Sequence, residues 1–117
     1  FDAIFSGFTL HHFTPAERGD ILRTLRRKLA PGGLVVVVDS MRAADESREQ
    51  WLDRYCGWLD AEWRAIPPEG RRTIVGHIRE CDQPGTLAEY AAHAAGAGFA
   101  RSGEVHRRAW HSVWSAA

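Results

Sequence analysis

The stretch Phe1–Asp39, FDAIFSGFTLHHFTPAERGDILRTLRRKLAPGGLVVVVD, decides the fold. Phe1–Gly7 is an apolar segment closed by a glycine and reads as a strand, followed by a loop over Ser6–His12. Thr14-Pro15-Ala16-Glu17 then carries three helix-start signals. Thr14 can cap an orphan backbone N–H, Pro15 suits the first helical position, and Glu17 completes a capping box. Ile21, Leu22, Leu25 and Leu29 recur on one stripe, as a helix with one apolar face requires. Pro31-Gly32-Gly33 stops that helix and turns the chain. Leu34–Val38 is continuous, apolar and mostly β-branched, as expected of a parallel strand covered on both faces, and it ends in Asp39. The unit is strand, helix, strand.

Further along the chain, Met41–Ser47 reads as a loop. From Arg48 to Ile66 the helical spacing returns in Trp51, Leu52, Tyr55, Trp58, Leu59, Trp63 and Ile66. Three tryptophans and a tyrosine on one stripe predict a helix with an aromatic face. Pro67-Pro68-Glu69-Gly70 breaks it, and Ile74, Val75 and Ile78 suggest a short helix before Cys81. Pro84-Gly85 is a turn. Thr86-Leu87-Ala88-Glu89 repeats the capping box and opens a helix that buries Leu87, Tyr90, Ala91 and Ala94, with Gly98 as its terminator. Phe99–Val105 and Ala109–Ser115 read as closing strands, joined as a hairpin through His106-Arg107-Arg108.

The 117 residues suit one small domain, and 44% hydrophobic content argues for a packed core. Fifteen basic and fifteen acidic residues cancel, which removes the electrostatic footprint expected of a partner for nucleic acid or anionic membrane. No apolar run is long enough to span a bilayer. Cys56 and Cys81, without CxxC spacing, read as reduced thiols of a cytoplasmic protein.

In order and spacing, Phe1-Asp2-Ala3-Ile4, Leu10-His11-His12, Leu29-Ala30-Pro31-Gly32-Gly33 and Val35–Asp39 resemble the middle of a class I S-adenosylmethionine-dependent methyltransferase. Ala97-Gly98-Phe99 and the aromatic segment Trp110–Ala116 fit that family's last two strands. The resemblance implies an α/β, Rossmann-like sheet of strand order 3-2-1-4-5-7-6 with strand seven antiparallel, of which this chain supplies 4-5-7-6. It also implies one partial domain over residues 1–117, the C-terminal half, with a helical lid-like insertion at about 41–83. The family's Gly-rich cofactor loop has no counterpart here: Gly96 and Gly98 follow a helix, and Arg101 stands where a third glycine is needed. The first strand is therefore expected to leave an apolar parallel edge open, which invites pairing with another chain.

The activity implied by the resemblance is methyl transfer from S-adenosylmethionine to a small-molecule acceptor, with these residues inactive alone. Ligands of open α/β sheets bind at the carboxyl ends of the strands, which selects Ser6, Gly7, Phe8 and His12 for the methyl end of the cofactor. His11 and Asp39 are the candidates for general base or its orienter. Trp51, Tyr55 and His77 are the candidates for acceptor contact. No metal set is expected, because no third and fourth ligands accompany the histidine pair at a recognisable spacing. Arg23, Arg26, Arg27 and Lys28 complement the helix dipole rather than bind nucleic acid. A homodimer through the tryptophan-rich helix or the open edge is the expected assembly. Two alternatives stay open: an inactive half-domain serving as a protein-interaction module, and another Rossmann-type enzyme such as a nucleotide-dependent oxidoreductase. Parallel closing strands would favour the latter.

Overall fold

A computed structural model describes all of residues 1–117. Its elements are β1 (Ala3–Gly7), a 3-10 turn (Leu10–His12), α1 (Pro15–Lys28), β2 (Leu34–Ser40), α2 (Arg48–Glu62), α3 (Pro68–Cys81), α4 (Leu87–Gly96), β3 (Ser102–Arg108) and β4 (His111–Ala116). The four strands make one sheet in the order β1-β2-β4-β3. β1 and β2 are parallel, with Ile4 opposite Val35; β4 runs antiparallel to β2 and to β3. This is the order and the antiparallel closing hairpin that the resemblance implies, and it removes the parallel-edged alternative.

Local chemistry explains the element boundaries. Thr14 accepts from the Glu17 backbone N–H at 3.4 Å, while the Glu17 carboxylate accepts from the Thr14 N–H at 2.8 Å. The same reciprocal cap starts α2 at Ser47 and α4 at Thr86. Gly32 and Gly98 end their turns with φ of +77° and +87°, values that carry little cost only without a Cβ.

One face of the sheet carries the main core. Val35, Val37 and Trp114 point to it and pack against Leu22 of α1 and Tyr90 and Ala94 of α4. A second core lies apart, between α2 and α3, built on Trp51, Leu52, Tyr55, Leu59 and Ile78. Trp110, in the β3–β4 turn, packs partly against it. No helix is long and apolar enough to cross a membrane.

Four details differ from the sequence reading. Val36 and Val38 are only half-buried, because α1 and α4 both pack on the opposite face of β2. α2 stops at Glu62 rather than Ile66, and Trp63 turns outward, 39% exposed. Pro68 begins a fourteen-residue helix instead of merely ending one, since a proline at the first helical position sacrifices no hydrogen bond. The closing hairpin turns at Ala109-Trp110, and His106, Arg107 and Arg108 lie within β3. β3 is exposed along its length and carries a bulge between Glu104 and His106. Charge and bulge together discourage further strand pairing. The opposite edge has no such defence: Phe1 and Phe5 are 75% and 70% exposed.

Candidate active site

The carboxyl end of β1 delivers the first group. Phe8 continues the β1–β2 ladder by donating its N–H to the Val38 carbonyl at 2.8 Å, and its backbone has φ of 49°. A left-handed conformation is costly for a bulky residue and recurs at ligand sites. It holds the Phe8 ring outward, edge-on to His111 at 5.1 Å between centroids. The chain then folds into the 3-10 turn, which Leu10 anchors in the main core.

The buried carboxylate of Asp39, at the end of β2, organises that turn. It accepts from the His11 backbone N–H at 3.1 Å, the Ser40 backbone N–H at 2.9 Å and the Tyr90 hydroxyl at 3.3 Å, and it pairs with His11 Nδ1. His11 is thus fixed by its backbone and its ring to one side chain. Burial pushes the imidazole down, but the hydrogen bond and charge of Asp39, with the charge of Asp82, outweigh it, and its pKa rises from the ordinary value. Tyr90 is pushed up by burial and by Asp39, so it keeps the proton that it donates to Asp39.

The third contribution comes from the loop after α3. Gln83 donates its N–H to the His11 carbonyl at 2.5 Å, and buried Arg18 donates to the Gln83 carbonyl at 2.5 Å. Arg48 donates to the Asp82 carbonyl at 2.7 Å. These bonds present the Asp82 carboxylate to both histidines. Its Oδ2 lies 3.6 Å from His11 Nε2, and its Oδ1 lies 3.3 Å from His12 Nδ1. Burial raises the Asp82 pKa, an effect His11, His12 and His77 offset only in part.

These groups border a cavity of about 190 Å³ lined by Phe8, His11, His12, Ser40, Tyr55, His77, Ile78 and Asp82. The Tyr55 hydroxyl stands 3.4 Å from His111 Nε2, and burial raises the phenol's pKa and lowers the imidazole's. A half-sequestered space with aromatic walls, an oriented imidazole and a carboxylate suits a small acceptor that must give up a proton.

The structure therefore brings His11, His12, Phe8, Tyr55 and His77 to one cavity. Asp39 sits behind His11, out of reach of a ligand, as the group that orients it. Ser6 and Gly7 are half-buried at the strand end and do not line the cavity. Trp51 is displaced from the expected acceptor contacts. It is fully buried, stacked on Tyr55 at 4.5 Å, because its position on α2 faces α3 and the core between them. Three participants escaped the sequence reading: Asp82, Ser40 and Arg18. Arg18 left a trace, a charge on the stripe that Leu22, Leu25 and Leu29 share. Asp82 left only an acid ahead of the Pro84-Gly85 turn.

Comparison with known proteins gives the context. Residues 1–37 match the family model described as a methyltransferase domain. A carboxy-S-adenosyl-L-methionine synthase from Psychrobacter sp. (strain PRwf-1) is 27% identical over 103 residues, which cover 86% of this chain and 36% of that protein. PigF, solved with SAH, superposes with a TM-score of 0.68 at 17% identity, over 98% of this chain and 30% of its own. Human N-acetylserotonin methyltransferase, solved with SAM, superposes with a TM-score of 0.65 at 17% identity, over 98% of this chain and 28% of its own. The chain thus spans about a third of the length of the proteins it matches. With that family match over its opening unit and that sheet order over its whole length, the chain has the Rossmann-like fold of the class I S-adenosylmethionine-dependent methyltransferases.

Proposed function

We propose that the chain serves S-adenosylmethionine-dependent methyl transfer to a small-molecule acceptor. The observation that carries this is the His11–Asp39 pair, set at the carboxyl edge of this sheet and beside a cavity with aromatic walls. When bound, S-adenosylmethionine supplies an electrophilic methyl on a sulfonium centre. The residues at the end of β1 fit that end of the cofactor: Phe8 offers an exposed aromatic ring, Ser6 a hydroxyl and Gly7 a backbone without a side chain. His12 lies one residue beyond His11, its side chain 40% exposed.

The remaining work falls to this chain's own groups. Asp39 holds His11 in one orientation, and His11 accepts the proton of the acceptor's nucleophilic atom. Tyr55, Phe8 and Ile78 exclude water and align the acceptor, the main requirement of an in-line displacement. His77, exposed on α3, borders the cavity mouth. The aromatic walls favour a planar, phenol-like acceptor.

The test is transfer of isotope-labelled methyl from S-adenosylmethionine to a panel of phenols and amines by a form extended upstream to supply the Gly-rich cofactor loop. His11→Gln is expected to lower kcat by about 10²–10⁴-fold with little change in cofactor affinity. Full activity in His11→Gln would remove it as the base. The similarity to a carboxy-S-adenosyl-L-methionine synthase favours a second reading, in which the cofactor itself is the substrate and leaves with added mass. Mass spectrometry of the spent cofactor separates the two. If neither these residues nor a form extended upstream binds the cofactor although both are folded, the interaction module is the better description. For self-association, the inward-facing tryptophans of α2 leave the β1 edge, with Phe1 and Phe5, as the better-supported surface.

A further inference from the structure

We propose that His11, His12 and Asp82 form a binding site for a first-row divalent transition metal ion, zinc, cobalt or nickel in type, with open positions facing the cavity of Tyr55 and His77. One donor atom from each of the three residues lies within 4.8 Å of the others. The separations between the carboxylate and the two imidazoles are 3.6 and 3.3 Å. These suit hydrogen bonds poorly. The Asp82 Oδ1 atom, on a side chain only 4% exposed, has no hydrogen-bond partner at all. They lie within the reach of one ion: ligand bonds of about 2.0–2.2 Å let donor atoms up to about 4 Å apart share a metal, and the gaps to Oδ2 and Oδ1 are 3.6 and 3.3 Å. An ion held by Asp82 Oδ1 and the two imidazoles gives that orphaned oxygen a partner.

The surroundings are those of a metal ligand set. Asp39 takes His11 Nδ1, which leaves Nε2 free to donate its lone pair, the arrangement that fixes and strengthens histidine ligands. Asp82 is held by its backbone: its N–H donates to Ile78 at 3.0 Å, and Arg48 reaches its carbonyl. Two histidines and one carboxylate are a borderline donor set that selects zinc-like ions over magnesium or calcium. His77, its ring 6.0 Å from that of His12, borders the same cavity without joining the donor set. Three protein ligands and an open side are the pattern of a reactive site rather than a structural one. The ion occupies the same His11 nitrogen that accepts the proton in the proposed transfer, so the metal-bound form and the base-competent form are alternative states of the site.

The test uses cobalt(II) titrated into the metal-free 117-residue chain at neutral pH, without cofactor or acceptor, so it stands apart from any test of methyl transfer. The expected result is one equivalent of cobalt with visible ligand-field bands, displaced by zinc. His12→Gln and Asp82→Asn are each expected to weaken binding at least about tenfold, and Asp39→Asn by about 10–100-fold. His106→Gln, on exposed β3, leaves it unchanged. His12 is half-exposed and its replacement preserves the fold, which circular dichroism verifies, so a folding defect in Asp82→Asn does not blunt the test. Cobalt binding equal in the wild type and His12→Gln, or no ligand-field bands at millimolar cobalt, overturns the site.

Discussion

Replacing Asp39 by asparagine isolates the group that ties sheet, turn and α4 together. The carboxylate is fully buried and accepts from His11 N, His11 Nδ1, Ser40 N and the Tyr90 hydroxyl. Asparagine keeps one accepting oxygen and substitutes a donor for the other. The oxygen is best kept toward His11 N and Tyr90, with the amide NH₂ toward His11 Nδ1. The imidazole must then accept at Nδ1 and carry its proton on Nε2, while the Ser40 N–H is left without a partner. A charged hydrogen bond contributes about 1.5–3 kcal/mol and a buried orphan donor costs about 1–3 kcal/mol. The expected loss is therefore about 3–5 kcal/mol, a large part of the stability of a small domain. Tyr90→Phe removes only the longest of the four bonds and should cost about 0.5–1.5 kcal/mol. Urea unfolding of the 117-residue chain, read by circular dichroism, measures both, and imidazole ¹⁵N shifts report the tautomer of His11. If Asp39→Asn costs no more than Tyr90→Phe, or His11 keeps its tautomer, Asp39 is not the organiser described.

Thr86→Ala removes the cap of α4, where Thr86 Oγ accepts from Glu89 N at 3.2 Å, and should cost about 1 kcal/mol in the same assay. Phe8→Gly relieves the left-handed backbone and is expected to leave stability equal or raise it by up to about 1 kcal/mol while weakening cofactor affinity in calorimetric titration of a form extended upstream. Burial, then the charge of Arg18, holds the His93 pKa below 6.5 in the folded state. The unfolded chain therefore binds this proton first as pH falls, so the stability tied to a neutral His93 is present above 6.5 and declines as pH falls through the folded pKa. His93→Gln should flatten that acid limb in urea titrations run with chelator, and an unchanged slope would remove His93 as its source.

The opening unit was legible because its signals are local. A proline after a capping threonine, an apolar stripe and a Pro-Gly-Gly stop each constrain a few neighbouring residues. The sheet order came from a resemblance in motif order, and hydrogen-bonded register then fixed it. What the sequence did not show depends on distant contacts. Trp51 and Tyr55 lie four residues apart on one helix face, yet α3 covers the first and the cavity exposes the second. Asp82 acquires its role only because Gln83 and Arg48 fold its loop onto the histidine turn. The hairpin was displaced because charge at His106-Arg107-Arg108 resembles a loop, whereas an exposed edge strand accepts the same residues.

The separation of the two hydrophobic cores bears on how such a protein diversifies. Mutations in α2 and α3 that redraw the wall around Tyr55 and His77 disturb packing among Leu52, Leu59 and Ile78, but not the layer of Leu22, Val37 and Trp114 under the sheet. Distant sites with no shared partners contribute to stability nearly independently. The wall of the cavity is thus free to drift through many substitutions while the framework that holds His11 and Asp39 keeps its tolerance, and lineages of this chain should vary most where the second core meets the cavity.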